Sequence, residues 1–170
     1  MLLGLSLLYV GAVLFLNGLW LLGKIDDKEI VVINVVSGFV TLCVSLASAF
    51  GANADAASIK AAALTLLFTA TYLWVAYNRV VAVDGRGLGW FSLFIAITAT
   101  PVALQGLAGA QSAIDMWMGV NWAIWAIVWF MYFLLLSLKR DILRPTGIAT
   151  MLAGIVTGWV PGFLLLDGKL

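Results

Sequence analysis

Trp122, Trp125 and Trp129 stand at i, i+3 and i+7 in the run N-W-A-I-W-A-I-V-W from Asn121 to Trp129. On a helix of about 3.6 residues per turn the first and last differ by only about 20 degrees, so the three indoles form one stripe. An indole offers a flat π face on which a planar group can stack, and one N–H that donates a hydrogen bond. Neither breaks covalent bonds, so the chemistry on offer is recognition. Interfacial tryptophans sit at the ends of a membrane span. Here the apolar segment runs from about Met116 to Leu138, which puts Trp125 and Trp129 within roughly 3 Å of its middle near Ile127 and leaves Trp117 as the belt residue. Packing on another helix, lining a passage and facing lipid all remain open from the spacing alone.

Groups that could react are missing. Histidine is absent, which removes the commonest general base and the commonest metal ligand. The single Cys43 lies in an apolar run, so neither a disulfide framework nor a thiolate metal site is available and no cofactor or metal is expected. Intramembrane hydrolysis would need an activated nucleophile or an aspartate pair within the apolar runs, and neither occurs; the chain is not read as an enzyme. A net charge of +1 gives no reason to expect nucleic acid as a partner. Asp55, Asp84, Asp115 and Asp141 all fall in connections, and Lys and Arg fall at or beyond the ends of the apolar runs. Pumps, proton-coupled transporters and voltage sensors keep ionisable groups inside the membrane. What the runs do carry is uncharged: Asn17, Thr41, Thr65, Thr71, Thr98, Gln105 and Asn121. Amides, hydroxyls and indoles without charge suit a small neutral polar solute moving down its gradient, whereas an ion would lack compensation for its hydration shell.

The elements that must position these groups are membrane spans. The 170 residues have a mean hydropathy of +1.13 and are 10% charged, against about 25% in a soluble domain. Six apolar runs near the bilayer-spanning length are expected, roughly Leu2 to Leu22, Ile30 to Phe50, Ser58 to Tyr77, Leu88 to Leu107, Met116 to Leu138 and Thr146 to Leu166. The expected fold is an all-α, six-helix, multi-pass bundle treated as one unit over residues 1–170. The first run has no basic residue before it and is long for a signal peptide, so it reads as a retained span. Lys24, Lys28, Arg79, Arg86, Lys139, Arg140 and Arg144 flank the first, third and fifth connections, and only Lys60 and Lys169 lie on the other side. That bias places those connections in the cytoplasm and both termini outside.

Gly4, Gly11 and Gly18 recur at heptad spacing in the first span, and Gly154, Gly158 and Gly162 at every fourth position in the last; both stripes let another helix come close. On another face of the first span, Leu7, Val10, Leu14 and Asn17 form an apolar line ending in an amide, either a passage wall or plain packing. Asn34 and Asn78 read as interhelical hydrogen-bonding or capping residues. The glycine-rich run Gly85 to Gly89 reads as a tight turn. Pro101 and Pro161 fall inside spans, where each removes a donor and frees a carbonyl.

These residues resemble the urea and amide channel family known as AmiS/UreI. The matching motifs are G-L-x-L-L-Y-V-G-x-V-L-x-x-N-G from Gly4 to Gly18, T-Y-L-W from Thr71 to Trp74, W-F-S-L-F-x-A-I from Trp90 to Ile97, the tryptophan stripe, and T-G-W-V-P-G-F-L-L from Thr157 to Leu165. The resemblance implies a protomer with its own narrow pore, a homohexamer with a lipid plug at its centre, and a place in the bacterial cytoplasmic membrane. It implies an apolar constriction toward the outside at Leu7, Val10 and Leu14 and an aromatic one toward the cytoplasm at Trp122, Trp125 and Trp129. Trp74 stands where it places a tyrosine, and Ala70 where it places a phenylalanine that narrows the pore in urea-specific relatives. The outer connections are short and lack histidine, so histidine-based acid gating is not expected; Ala153 stands where some acid-gated relatives have a glutamate. The implied function is passive diffusion of urea, acetamide and similar neutral amides into the cytoplasm, feeding a cytosolic amidase or urease. A proton- or sodium-coupled amide transporter and a non-transporting structural membrane protein are the alternatives.

Overall fold

The computed structural model describes residues 1–170 and contains six helices long and apolar enough to cross a membrane. They are α1 (Leu2–Leu21), α2 (Ile30–Phe50), α3 (Ala56–Val81), α4 (Arg86–Ala108), α5 (Ala113–Leu136) and α6 (Leu143–Leu166). All six expected spans are present, and several helices run past the apolar stretch that marks them. The 26 residues of α3 reach about 39 Å, beyond a hydrocarbon core of about 30 Å. Its polar first turn is set by a capping box in which Asp55 accepts from the Ser58 N–H and Ser58 Oγ accepts from the Asp55 N–H. Lys60 and Arg79 are therefore helical residues near the ends of α3 rather than loop residues.

Each helix packs on its neighbours in sequence, and α1 packs along α6, which closes the six into a ring. The closing seam is made by the two glycine stripes. A methyl at Gly162 would stand 2.5 Å from the Leu8 nitrogen, one at Gly154 2.5 Å from the Phe15 nitrogen, and one at Gly18 2.5 Å from the Met151 nitrogen. Gly11 and Gly158 lie against each other's backbone. Helices gain little from the hydrophobic effect inside lipid, so such close backbone contact is what holds them together.

Span α6 is not uniform. Gly154–Trp159 is π-helical, between α-helical Leu143–Ala153 and Val160–Leu166. Pro161 has no N–H to return to the carbonyl four residues back, and the chain before it widens so that Val160 N–H reaches Ile155 O. The Thr157 carbonyl, freed by Pro161, accepts from Asn121 Nδ2 at 3.3 Å. The first, third and fifth connections gather at one end. Asp27 accepts from Trp20 Nε1 at 2.7 Å and pairs with Arg79 at 3.3 Å, while Lys139 Nζ donates to the Asp84 carbonyl at 2.9 Å.

Candidate functional site

Inside the ring, α1, α3, α4 and α5 contribute one buried cluster: Leu7, Val10, Val13, Leu14, Phe68, Tyr72, Ile95, Ala96, Trp125 and Trp129. The packing core of the bundle and the lining of its cavities are largely the same residues. Three cavities follow one another along this line. A mouth of about 420 Å³ is edged by Lys60, Gln105 and Asp115 and floored by Met118 and Trp122. An outer chamber of about 180 Å³ shares Met118 and Trp122 with the mouth and is walled by Leu3, Leu7, Val10, Thr65 and Phe68. An inner chamber of about 30 Å³ shares Phe68 and Trp125 with the outer one and continues past Leu14, Asn17, Tyr72, Ser92 and Trp129. A space of that size holds a water or two. No Asp, Glu, Lys or Arg lines either chamber.

The neck between the chambers is aromatic. Phe68 stands edge-on to Trp125 and Trp129, with ring centroids at 4.8 and 4.6 Å, and 6.0 Å from Trp122. Trp122 and Trp125 meet at 84°. The indoles are thus not paired face to face as an open slot; the Phe68 ring occupies the space between them. Trp125 is held by its N–H, which donates to Thr157 Oγ at 2.7 Å, and Thr157 in turn donates to the Ala153 carbonyl. The π turn of α6 therefore presents one residue that receives both Trp125, through its hydroxyl, and Asn121, through its carbonyl.

The inner chamber has an amide wall. Asn17 Nδ2 donates to Asn34 Oδ1 at 3.2 Å, Asn34 Nδ2 donates to Asn17 Oδ1 at 2.7 Å, and Asn34 also donates to the Ile30 carbonyl. Asn34 is the interhelical hydrogen-bonding residue expected of it. Tyr72, 1% exposed, lines the same chamber with its hydroxyl buried and without a partner.

Leu7, Val10, Leu14, Asn17, Trp122, Trp125 and Trp129 all line the chambers. Ala70 and Trp74 do not, and the reading for these two is corrected. They sit about 200 and 240 degrees around α3 from Phe68, on its outer faces. Trp74 is 36% exposed and packs on Phe91 at 5.5 Å and over Gly87. The aromatics that α3 turns inward are Phe68 and Tyr72. The available signal was in the sequence: Phe68, Thr71, Tyr72 and Val75 recur at helical spacing on one face of α3.

A ring of six apolar helices around a line of cavities whose two chambers are uncharged and dotted with polar groups is the architecture of a multi-pass membrane transport protein. Residues 2–169 match the AmiS/UreI family transporter description, and the chain belongs to that family. It is 42% identical over 167 residues to a Mycolicibacterium smegmatis protein named as a candidate transporter of amidate substrates, covering 98% of this chain and 77% of that one. It is 32% identical over 190 residues to the acid-activated urea channel of Helicobacter pylori, covering 96% of each. The cryoEM structure of the Helicobacter pylori urea channel in its closed state superposes with a TM-score of 0.87 at 31% identity, covering 99% of both chains. The crystal structure of that channel gives 0.85 at 32% identity, covering 99% of this chain and 98% of the other. The chain is a transport protein of the bacterial cytoplasmic membrane, not an enzyme.

Proposed function

We propose that this chain is a passive channel for urea and short neutral amides such as acetamide, running from an outer mouth at Lys60, Gln105 and Asp115 to a cytoplasmic exit beyond Leu88. The observation that carries it is the pair of uncharged chambers joined at the Phe68–Trp125 neck. A planar dipolar solute passes when the Phe68 ring turns away from the indoles, taking its place by stacking on them. Leu7, Val10 and Leu14 make the opposite wall apolar, so a hydrated ion finds no replacement for its water. Beyond the neck the solute meets the Tyr72 hydroxyl and the outer edge of the Asn17–Asn34 pair, each a weak site it can leave as readily as it enters. With no ionisable carboxylate, amine or guanidinium along the chambers there is no such group to carry a coupled proton and no anionic ligand for sodium, which favours diffusion over coupled transport. The absence of histidine leaves no side chain whose unperturbed pKa lies near neutrality.

The same reading places both termini outside, assembles protomers into a hexamer around central lipid, and hands the solute to a cytosolic amidase or urease. The test is re-swelling of proteoliposomes shrunk in urea or acetamide. Flux well above that of protein-free vesicles, without accumulation against a gradient, is expected. Flux equal to the protein-free control sinks the proposal, and accumulation driven by a proton or sodium gradient replaces the channel with a coupled carrier.

A further inference from the structure

Most polar groups along the inner stretch are already spent within the protein. Thr71 donates to Leu67 O, Ser92 to Leu88 O, Trp125 to Thr157, and Asn17 is paired with Asn34. Two side chains of α3 keep a buried oxygen with no partner: Tyr72, already in the inner chamber, and Asn78. A third such oxygen, Asn121 Oδ1, lies off the chamber lining beside Thr157. Asn78 is 2% exposed. Its place on the helix is informative, because it follows Thr71 by seven residues and falls within about 20 degrees of it on the wheel. It also follows Val75 by one turn, and both Thr71 and Val75 line the inner chamber.

Beyond the chamber the chain turns at Gly85, whose φ of 79° only a glycine takes without strain. A methyl there would stand 3.7 Å from Asn78 Nδ2 and 3.5 Å from Leu136. Leu88, one turn into α4 from Gly85, lines the chamber. Asn78 therefore sits between the end of the inner chamber and the α3–α4 turn, on the line the chambers already follow. The sequence suggested an interhelical hydrogen bond or a cap for this residue; Asn78 Oδ1 makes neither. A leucine there would pack without leaving a carbonyl unpaired, and a buried unpaired carbonyl is a standing cost. An arriving N–H relieves it.

We propose that Asn78 is the exit-side binding group of the pathway, with Oδ1 accepting a hydrogen bond from an amide or urea N–H as the solute leaves the inner chamber toward the α3–α4 turn. This rests on the channel reading above. Wild-type flux is measured first, so a wild-type chain without flux removes both readings before any variant is read. Asn78→Leu keeps the branched outline of the side chain, with somewhat greater bulk, and removes the acceptor. Urea and acetamide flux are then expected to fall about three- to tenfold, as loss of one hydrogen bond at the exit step would give. The variant keeps the wild-type oligomer with an unchanged or raised Tm. N,N-dimethylformamide, which has no N–H, keeps its wild-type flux. Asn78→Leu passing urea at the wild-type rate, or slowing both classes of solute equally, overturns the assignment. Should Asn78→Leu fail to assemble, Asn78→Ala is read by the same two criteria.

Discussion

Truncating Phe68 tests the neck directly. Its ring stands 4.6 Å from Trp129 and 4.8 Å from Trp125, edge to face, and a solute in transit must disturb both contacts. Aromatic pairs of this kind contribute about 0.5–1.5 kcal/mol each beyond area burial, so the two together hold the neck shut by about 1–3 kcal/mol. At about 1.4 kcal/mol per factor of ten, removing them accelerates passage by about 5- to 150-fold if nothing replaces them. The solute replaces part of the loss by stacking on the same indoles, so Phe68→Ala is expected near the lower end, at about tenfold for urea. Larger amides such as butyramide gain more than urea, because the truncation also widens the passage. Removing a buried phenylalanine costs about 3–5 kcal/mol of stability, so Phe68→Leu serves as the better-packed companion, with a smaller gain in the same order. The assay is stopped-flow re-swelling of proteoliposomes, with the oligomer checked by size exclusion. Urea flux that is unchanged or lower in an intact Phe68→Ala oligomer would refute the neck. Ala70→Phe, on the outer face of α3, is the control and should leave selectivity as it was.

Two further outcomes follow from the same geometry. Thr157→Val removes the acceptor of the Trp125 N–H; a buried donor left unpaired costs about 1–3 kcal/mol. The measured Tm should therefore fall and urea flux should change, with both restored by Thr157→Ser; a valine variant indistinguishable from wild type in both would show that the π turn does not position Trp125. Flux and stability are expected to be level between pH 5 and pH 7.5. Hydrogen bonds from the backbone and hydroxyl of Ser58 hold the Asp55 carboxyl below its ordinary value, and the backbone and side chain of Arg86 do the same for Asp84. A lowered folded pKa means their contribution is complete above the unfolded value of about 3.9 and fades only as pH falls through the still lower folded values. A several-fold change in flux within the stated window would refute the level profile.

The six spans were legible because a bilayer imposes a length and excludes charge, and both leave marks in one sequence. The glycine stripes were legible as close-approach surfaces, but their mutual docking was not, since spacing within one helix does not name its partner. The tryptophan stripe and the Leu7–Asn17 line were each legible as one helix face from their periodicity, but that both faces turn toward the chambers comes only from how α1 and α5 pack. Ala70 and Trp74 were assigned from a motif match, and a shift of two residues along α3 turns a helix face by about 200 degrees. The wheel itself offered the alternative, since Phe68, Thr71, Tyr72 and Val75 share one face. The π turn had only an indirect signal in Pro161, whose freed carbonyl was expected to seek a partner. That this partner would be Asn121, and that Thr157 would also hold Trp125, depends on how α5 lies against α6.

The division between what is fixed and what can move follows from these contacts. The α1–α6 seam is backbone against backbone at glycine after glycine, so neither helix can shift without losing the contact that holds the ring closed. Trp125 is pinned from the same seam through Thr157, and Asn17 is pinned to α2 through Asn34. Phe68 makes no hydrogen bond, as a phenyl ring must, and its contacts are ring edges worth little individually. Rotation of one phenyl ring against a braced indole is therefore a cheaper route to an open neck than separation of any two helices. A disulfide or chemical cross-link placed across the α1–α6 seam should for that reason leave flux intact, while anything that immobilises the Phe68 ring should stop it.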